Sequence, residues 1–284
     1  MIDLNYPLLK PVRILLLPFS IVYGLIVYIR NWLFDVNLLR SSSFNLPIIC
    51  VGNLAIGGTG KSPMVEFLIG KLHNEFRLAV VSRGYKRKTT GYILAGRQST
   101  ALEIGDEPMQ FVNKFPDLTV AVGEERLVAI PQLLHDKPDT RVLILDDAFQ
   151  HRWVKAGFNI LLTDFNNLFT RDWFLPTGDL RDQKKSARRA DIIVITKCPQ
   201  DLSLAEKNQV IREIKAKVNQ QIFFTAISYG KPYQVITRDP WIPNKTAEVL
   251  LVTGIANPEP LKKYLEEKFD GYDEIAYGDH HIFT

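Results

Sequence analysis

The chain has 284 residues, enough for one large core or two modest ones; with 46% hydrophobic and 23% charged residues it is a folded globular protein rather than a disordered one. Its net charge of +4 is too small to argue for nucleic acid, and no nucleic-acid partner is expected. Two cysteines, Cys50 and Cys198, each beside a predicted core strand, and five scattered histidines exclude a disulfide framework and a structural zinc site.

The first element is apolar. Residues 14–29 carry no charge and are bracketed by Arg13 and Arg30. As a helix this stretch is about 24 Å long, short of the roughly 30 Å hydrocarbon core. Phe19, Tyr23, Tyr28, Trp32 and Phe34, with the flanking arginines, suit a membrane interface, so attachment to a membrane surface is expected. A buried core helix is the alternative. A signal peptide is disfavoured because no small-residue cleavage site follows. Basic residues on both sides (Lys10 and Arg13; Arg30 and Arg40) leave the orientation open.

A buried strand over residues 47–51 then leads into Ala55-Ile56-Gly57-Gly58-Thr59-Gly60-Lys61-Ser62, and Val65, Leu68, Ile69 and Leu72 follow at helical spacing. Strand, glycine-rich loop and helix start occur in the order that a phosphate-binding loop requires. The glycines turn backbone N–H groups toward phosphates, and the helix N-terminus adds partial positive charge. Lys61 is placed to reach the β- and γ-phosphates of a nucleotide, and the Ser62 hydroxyl to ligate Mg²⁺. Ala55 stands where the first glycine is usual, and Pro63 is tolerated in a first helical turn.

Further strands are predicted at 78–81, 120–122, 142–145, 159–163, 192–196, 222–227 and 249–253, with a helix over 204–218. Strands alternating with helices predict an α/β fold: a P-loop NTPase-like, doubly wound, mainly parallel sheet, with a second, smaller α/β domain and an N-terminal membrane-associated helix. The segments are 1–40, hydrophobic; 41–157, the nucleotide-binding core; and 158–284, the smaller domain, with a soft boundary near 156–159. Ligands of such sheets bind at the carboxyl ends of the strands. There the fourth strand ends in Asp146-Asp147, the pattern of a Walker B element that holds carboxylates near Mg²⁺. Transfer to an alcohol also needs a carboxylate at the acceptor hydroxyl. Asp106 in Gly105-Asp106-Glu107-Pro108 is the candidate, with Glu107 beside it for metal; a simple helix cap is the alternative. Asp279-His280-His281 could supply a partner. The basic run Arg181, Lys184, Lys185, Arg188, Arg189 reads equally as a solvated face or as a phosphate- or lipid-facing patch.

These motifs together resemble the tetraacyldisaccharide 4′-kinases of Gram-negative bacteria. The resemblance runs through Val51-Gly52-Asn53-Leu54 and Gly57 to Pro63, then Ser82-Arg83-Gly84-Tyr85, Gly105 to Pro108, Asp146-Asp147-Ala148-Phe149-Gln150-His151, Leu175-Pro176-Thr177-Gly178-Asp179-Leu180-Arg181, and Asp279-His280. It implies ATP- and Mg²⁺-dependent phosphorylation of the 4′-hydroxyl of a lipid A disaccharide 1-phosphate at the cytoplasmic face of the inner membrane. It implies a catalytic dyad of Asp106 and His280, and metal ligation by Ser62, Glu107 and Asp146, with Asp147 beside them. Arg126 matches a family arginine in the active site and is the candidate for stabilising transferred charge. Arg83, Tyr85, Gln150 and His151 are expected to support the active site or the acceptor. Ala148, Thr177 and Asp179 depart from the family's residues, and the segment that returns to the first domain is expected to be missing after Thr284. A membrane-associated P-loop NTPase acting as a switch or assembly factor is the alternative. Thr196-Lys197-Cys198-Pro199 lacks the aspartate that guanine recognition needs, and a degenerate binding module is opposed by intact Lys61, Ser62 and Asp146.

Overall fold

A computed structural model describes residues 13–234, 237, 239–241, 244–255 and 257–278. Helix α1 (Leu17–Asp35) follows a short 3-10 turn. Beyond it β1 (Ile48–Asn53), β2 (Leu78–Ser82), β3 (Ile93–Leu94), β4 (Thr119–Val122), β5 (Val142–Asp146), β6 (Phe158–Asp164), β7 (Ile192–Cys198) and β8 (Gln221–Ala226) form one sheet in the order 3-4-2-5-1-6-7-8. All its pairings are parallel except β3 against β4.

Alternation along the strands builds two cores. Val142 and Ile144 face one side with Val65 and Ile69 of α2 (Lys61–Leu72). After α3 (Ala101–Ile104), Phe111 of α4 (Asp106–Lys114) joins that same side. Leu143 and Leu145 face the other side with Ala129, Ile130 and Leu133 of α5 (Arg126–Asp136) and Val210 and Ile214 of α6 (Leu204–Ile214). Period-two strands between period-3.6 helices therefore give the doubly wound arrangement that the sequence predicts. The chain steps from β1 past β5 to β2, then returns past β1 to β6. This places the topological switch beside β1 and β5, where the phosphate loop and the aspartates lie.

The sequence boundary at 157/158 does not coincide with a break in this sheet. β6, β7 and β8 continue it in parallel register, and the compact units divide between Ala226 and Ile227. β6 and β7, buried on both faces, cannot stand as the start of a separate layer; they need the helices of the first half. The second unit pairs β9 (Leu250–Thr253) with β10 (Asp273–Ala276) in parallel through α7 (Glu259–Lys268). Within it Tyr229 stacks on Tyr264 and Trp241 on Phe269.

Helix α1, with the turn before it, is long and apolar enough to cross a membrane by length and composition. One face nevertheless docks on the protein through polar groups. Ser20 Oγ donates to the Phe174 carbonyl over 3.0 Å, and Asn31 Nδ2 to Asp182 Oδ1 over 2.6 Å. Just before the helix, Arg13 Nη2 meets Asp179 Oδ1 at 2.8 Å. The opposite face exposes Ile14, Leu15, Phe19, Val22, Ile26 and Ile29.

The basic run after Arg181 is a 3-10 turn (Lys184–Arg189) rather than a solvated helix face. Arg181 and Arg189 point inward onto Asp147 and Asp182, while Lys184, Lys185 and Arg188 stay exposed.

Candidate active site

β1 ends at Asn53, and the following loop turns through the left-handed region at Gly57 (φ 101°) and Gly60 (φ 85°) before α2 starts at Lys61. Only glycine adopts these angles without strain. A Cβ at Gly57 or Gly58 would meet nothing within 4 Å, so the loop faces open space on its outer side. Behind it, Asn53 Nδ2 donates to Thr59 Oγ1 and Thr196 Oγ1 to the Thr59 carbonyl, both over 2.9 Å. The Ile56 N–H is held by the Asp179 carbonyl at 2.8 Å. A braced concave loop on a helix N-terminus is an anion site with its N–H groups and dipole already oriented. Ser62 lies in the first turn of that helix.

On the neighbouring strand Asp146 stands in register with Val51. Its carboxylate is buried: Oδ2 accepts from Ser82 Oγ over 3.0 Å, and Oδ1 has no partner among the described residues. Burial first, and then the nearby Asp147 and Glu107 charges, push its pKa up to about 7. Asp147, at φ 48°, is differently placed. Both its oxygens take hydrogen bonds from the Arg181 guanidinium, and Oδ1 lies 3.9 Å from Lys61 Nζ. Burial alone would raise its pKa; Arg181 and Lys61 outweigh that and hold it below the usual range. The two aspartates expected as a metal pair thus divide the work. Asp146 presents a free oxygen, and Asp147 serves as counter-charge to two cations.

The third wall is the start of α4. Gly105 (φ 93°) and Gly84 (φ 70°) pack backbone to backbone: a Cβ on Gly105 would sit 3.1 Å from Gly84 Cα and from the Tyr85 carbonyl. This contact sets the Arg83–Tyr85 turn against Asp106 and Glu107. Asp106, Arg83 and Tyr85 are exposed and Glu107 is half-buried. Arg87 pins the same turn by pairing with Glu124 at 2.5 Å. Arg126 is 2% exposed and braces the strand ends. Its Nη atoms donate to the carbonyls of Gly123 at 3.0 Å and Asp146 at 3.2 Å, and Nε has no partner among the described residues. Gln150 Nε2 donates to the Asn53 carbonyl over 2.6 Å. Beside it His151 keeps a buried Nε2 with no partner among the described residues, and burial together with Arg126, Arg30 and Arg83 lowers its pKa to about 4. His280 lies outside the described residues.

The structure therefore brings Lys61, Ser62, Glu107, Asp146 and Asp147 to one end of the sheet. It also adds residues that motif reading left without a role: Asn53, Ser82, Thr196 and Arg181. Asn53 and Ser82 are the last residues of β1 and β2, just past the strands predicted to end at 51 and 81, and Thr196 ends the strand predicted over 192–196. Carboxyl ends of strands are where ligand-supporting groups of such sheets are found. Arg181 closes the motif over 175–181, but neither that motif nor its basic run assigns it a partner.

A braced glycine loop between β1 and a helix, with an aspartate-ended strand beside it, defines a P-loop nucleotide-binding α/β protein. Residues 12–284 match the model of the tetraacyldisaccharide-1-P 4′-kinase family (LpxK). The tetraacyldisaccharide 4′-kinase of Flavobacterium johnsoniae is 48% identical over 277 residues, covering 96% of this chain and 80% of the relative. That of Bacteroides thetaiotaomicron is 45% identical over 281 residues, covering 95% and 74%. The crystal structure of LpxK from Aquifex aeolicus in complex with ATP aligns with a TM-score of 0.76 at 30% identity, covering 96% of this chain and 85% of that one. The chain belongs to the tetraacyldisaccharide-1-P 4′-kinase family, and is a phosphotransferase; the switch reading is not favoured.

Proposed function

We propose that this kinase transfers the γ-phosphate of ATP to the 4′-hydroxyl of a lipid A disaccharide 1-phosphate in lipid A biosynthesis, working at the cytoplasmic face of the inner membrane. The observation that carries the reading is the convergence at the ends of β1, β2 and β5. An open glycine loop has its lysine 3.9 Å from one aspartate, and beside it stands a buried aspartate oxygen with no partner among the described residues. ATP in the Aquifex relative supports the same ligand here.

The loop N–H groups and Lys61 bind the phosphates. The residues fit a divalent cation, because the unpartnered Asp146 Oδ1 is a hard oxygen donor; the Ser62 hydroxyl and Glu107 would complete its protein ligands. Mg²⁺, when bound, neutralises charge on the β- and γ-phosphate oxygens. Asp106, exposed at the head of α4, orients the acceptor hydroxyl and takes its proton, with His280 as its partner. Arg126 acts by holding the Asp146 strand end, and the Arg83–Tyr85 turn faces the acceptor. The outward apolar face of α1 rests on the membrane, where the lipid acceptor resides.

The test uses the chain in detergent with Mg²⁺, γ-labelled ATP and the disaccharide 1-phosphate. Label passes to the lipid, and Asp106→Ala lowers transfer by about 10²-fold or more while ATP still binds. ATP hydrolysis without transfer would overturn the reading in favour of a switch.

A further inference from the structure

We propose that Asn53 is the node through which the apolar helix α1 positions the phosphate-binding loop, making Tyr23 and Arg30 positioning residues for nucleotide. The inference rests on the reading that this loop takes the phosphates of ATP.

Asn53 is fully buried and commits three polar atoms. Its Nδ2 donates to Thr59 Oγ1 in the loop at 2.9 Å. Its Oδ1 accepts from Arg181 Nη2 at 2.5 Å, and its carbonyl from Gln150 Nε2 at 2.6 Å. Each of the last two partners is in turn held by α1. The Tyr23 hydroxyl donates to the Arg181 carbonyl at 3.0 Å, and Arg30 Nη2 to the Gln150 carbonyl at 2.5 Å. Tyr23 and Arg30 are seven residues apart, two helical turns, and so share one face. Two separate routes thus run from that face to one residue at the base of the loop, through Arg181 to the Asn53 side chain and through Gln150 to its carbonyl.

Arg181 ties its route further into the site. Its N–H donates to the Leu54 carbonyl at 2.8 Å, and its guanidinium holds Asp147, the counter-charge of Lys61. A displacement of α1 therefore moves the support of Thr59 and the resting partner of Lys61 together. The outward face of this helix is apolar; its inward face belongs to the nucleotide site.

The test measures binding of a fluorescent ATP analogue with Mg²⁺ to the full chain in detergent, together with KM values for ATP and acceptor. Tyr23→Phe, which removes one hydroxyl, and Arg30→Met each weaken ATP binding about three- to tenfold and raise KM for ATP, with KM for acceptor unchanged. Asn53→Ser weakens it at least as much, and adding Tyr23→Phe to Asn53→Ser then costs less than Tyr23→Phe alone. A role in folding alone would lower the unfolding midpoint and leave the affinity of the folded protein intact, and that result overturns the inference. So do additive effects in the double variant. If the unaltered chain fails to bind ATP, the kinase reading falls; binding there with unchanged affinity in both helix variants overturns this inference alone.

Discussion

Ser82 Oγ donates to Asp146 Oδ2 across 3.0 Å, and among the described residues this single bond is all that the buried carboxylate receives from side chains. A buried charge so thinly compensated costs stability, which is the usual condition of a group kept ready for a ligand. Asp146→Asn is expected to stabilise the chain by about 1–3 kcal/mol in EDTA, measured by urea unfolding, while abolishing phosphoryl transfer. A lower midpoint would show that the carboxylate is compensated in the folded state.

Gly105 holds φ 93° with the Gly84 backbone 3.1 Å from where a Cβ would stand. Gly105→Ala should therefore cost about 1–3 kcal/mol of stability through strain and contact. It should also raise KM for the acceptor, because Asp106 and the Arg83–Tyr85 turn share this contact. Unchanged kinetics and unchanged unfolding would contradict the packing described.

On α1, Ile21 and Leu25 are 64% and 57% exposed, so the folded chain owes them little. The proposed membrane contact would bury them. Ile21→Ser and Leu25→Ser are each expected to lower partition into anionic vesicles about fivefold, at roughly 1 kcal/mol per half-buried side chain. The thermal midpoint in detergent should hold. Partition equal to that of the unaltered chain would remove this face from membrane contact.

His151 is neutral in the folded chain down to about pH 4, against about 6.5 when unfolded. Between these values the unfolded state binds more protons, so stability falls as pH drops. The contribution is complete above about pH 6.5 and lost on the way down to about 4. His151→Gln should flatten that part of the pH–stability curve, read from urea midpoints across pH 4–7. An unaltered slope would mean that the imidazole is not shielded.

The phosphate loop was legible because its chemistry is written in consecutive residues: an apolar strand, glycines, Lys61 and Ser62, then apolar positions at helical spacing. Most strands were legible for the same reason. β3 is only two residues, and β10 is exposed along its whole length, so neither leaves an apolar pattern to read. The sheet runs on across 157/158, which the sequence could not show because β6 and β7 look alike whether they open a new layer or extend an old one. Their pairing to β1 decides it.

The sequence by itself determined the order of elements, the motif residues and the apolar first helix, since each depends on neighbours within a turn or a strand. Tertiary structure alone decided that Asp146 keeps an open oxygen while Asp147 answers Lys61 and Arg181. It alone joined Asn53 to Arg181, 128 residues away, and Arg30 to Gln150, 120 residues away. Such pairs have no local period or spacing. They exist only where packed elements bring a donor and an acceptor within about 3 Å, away from water.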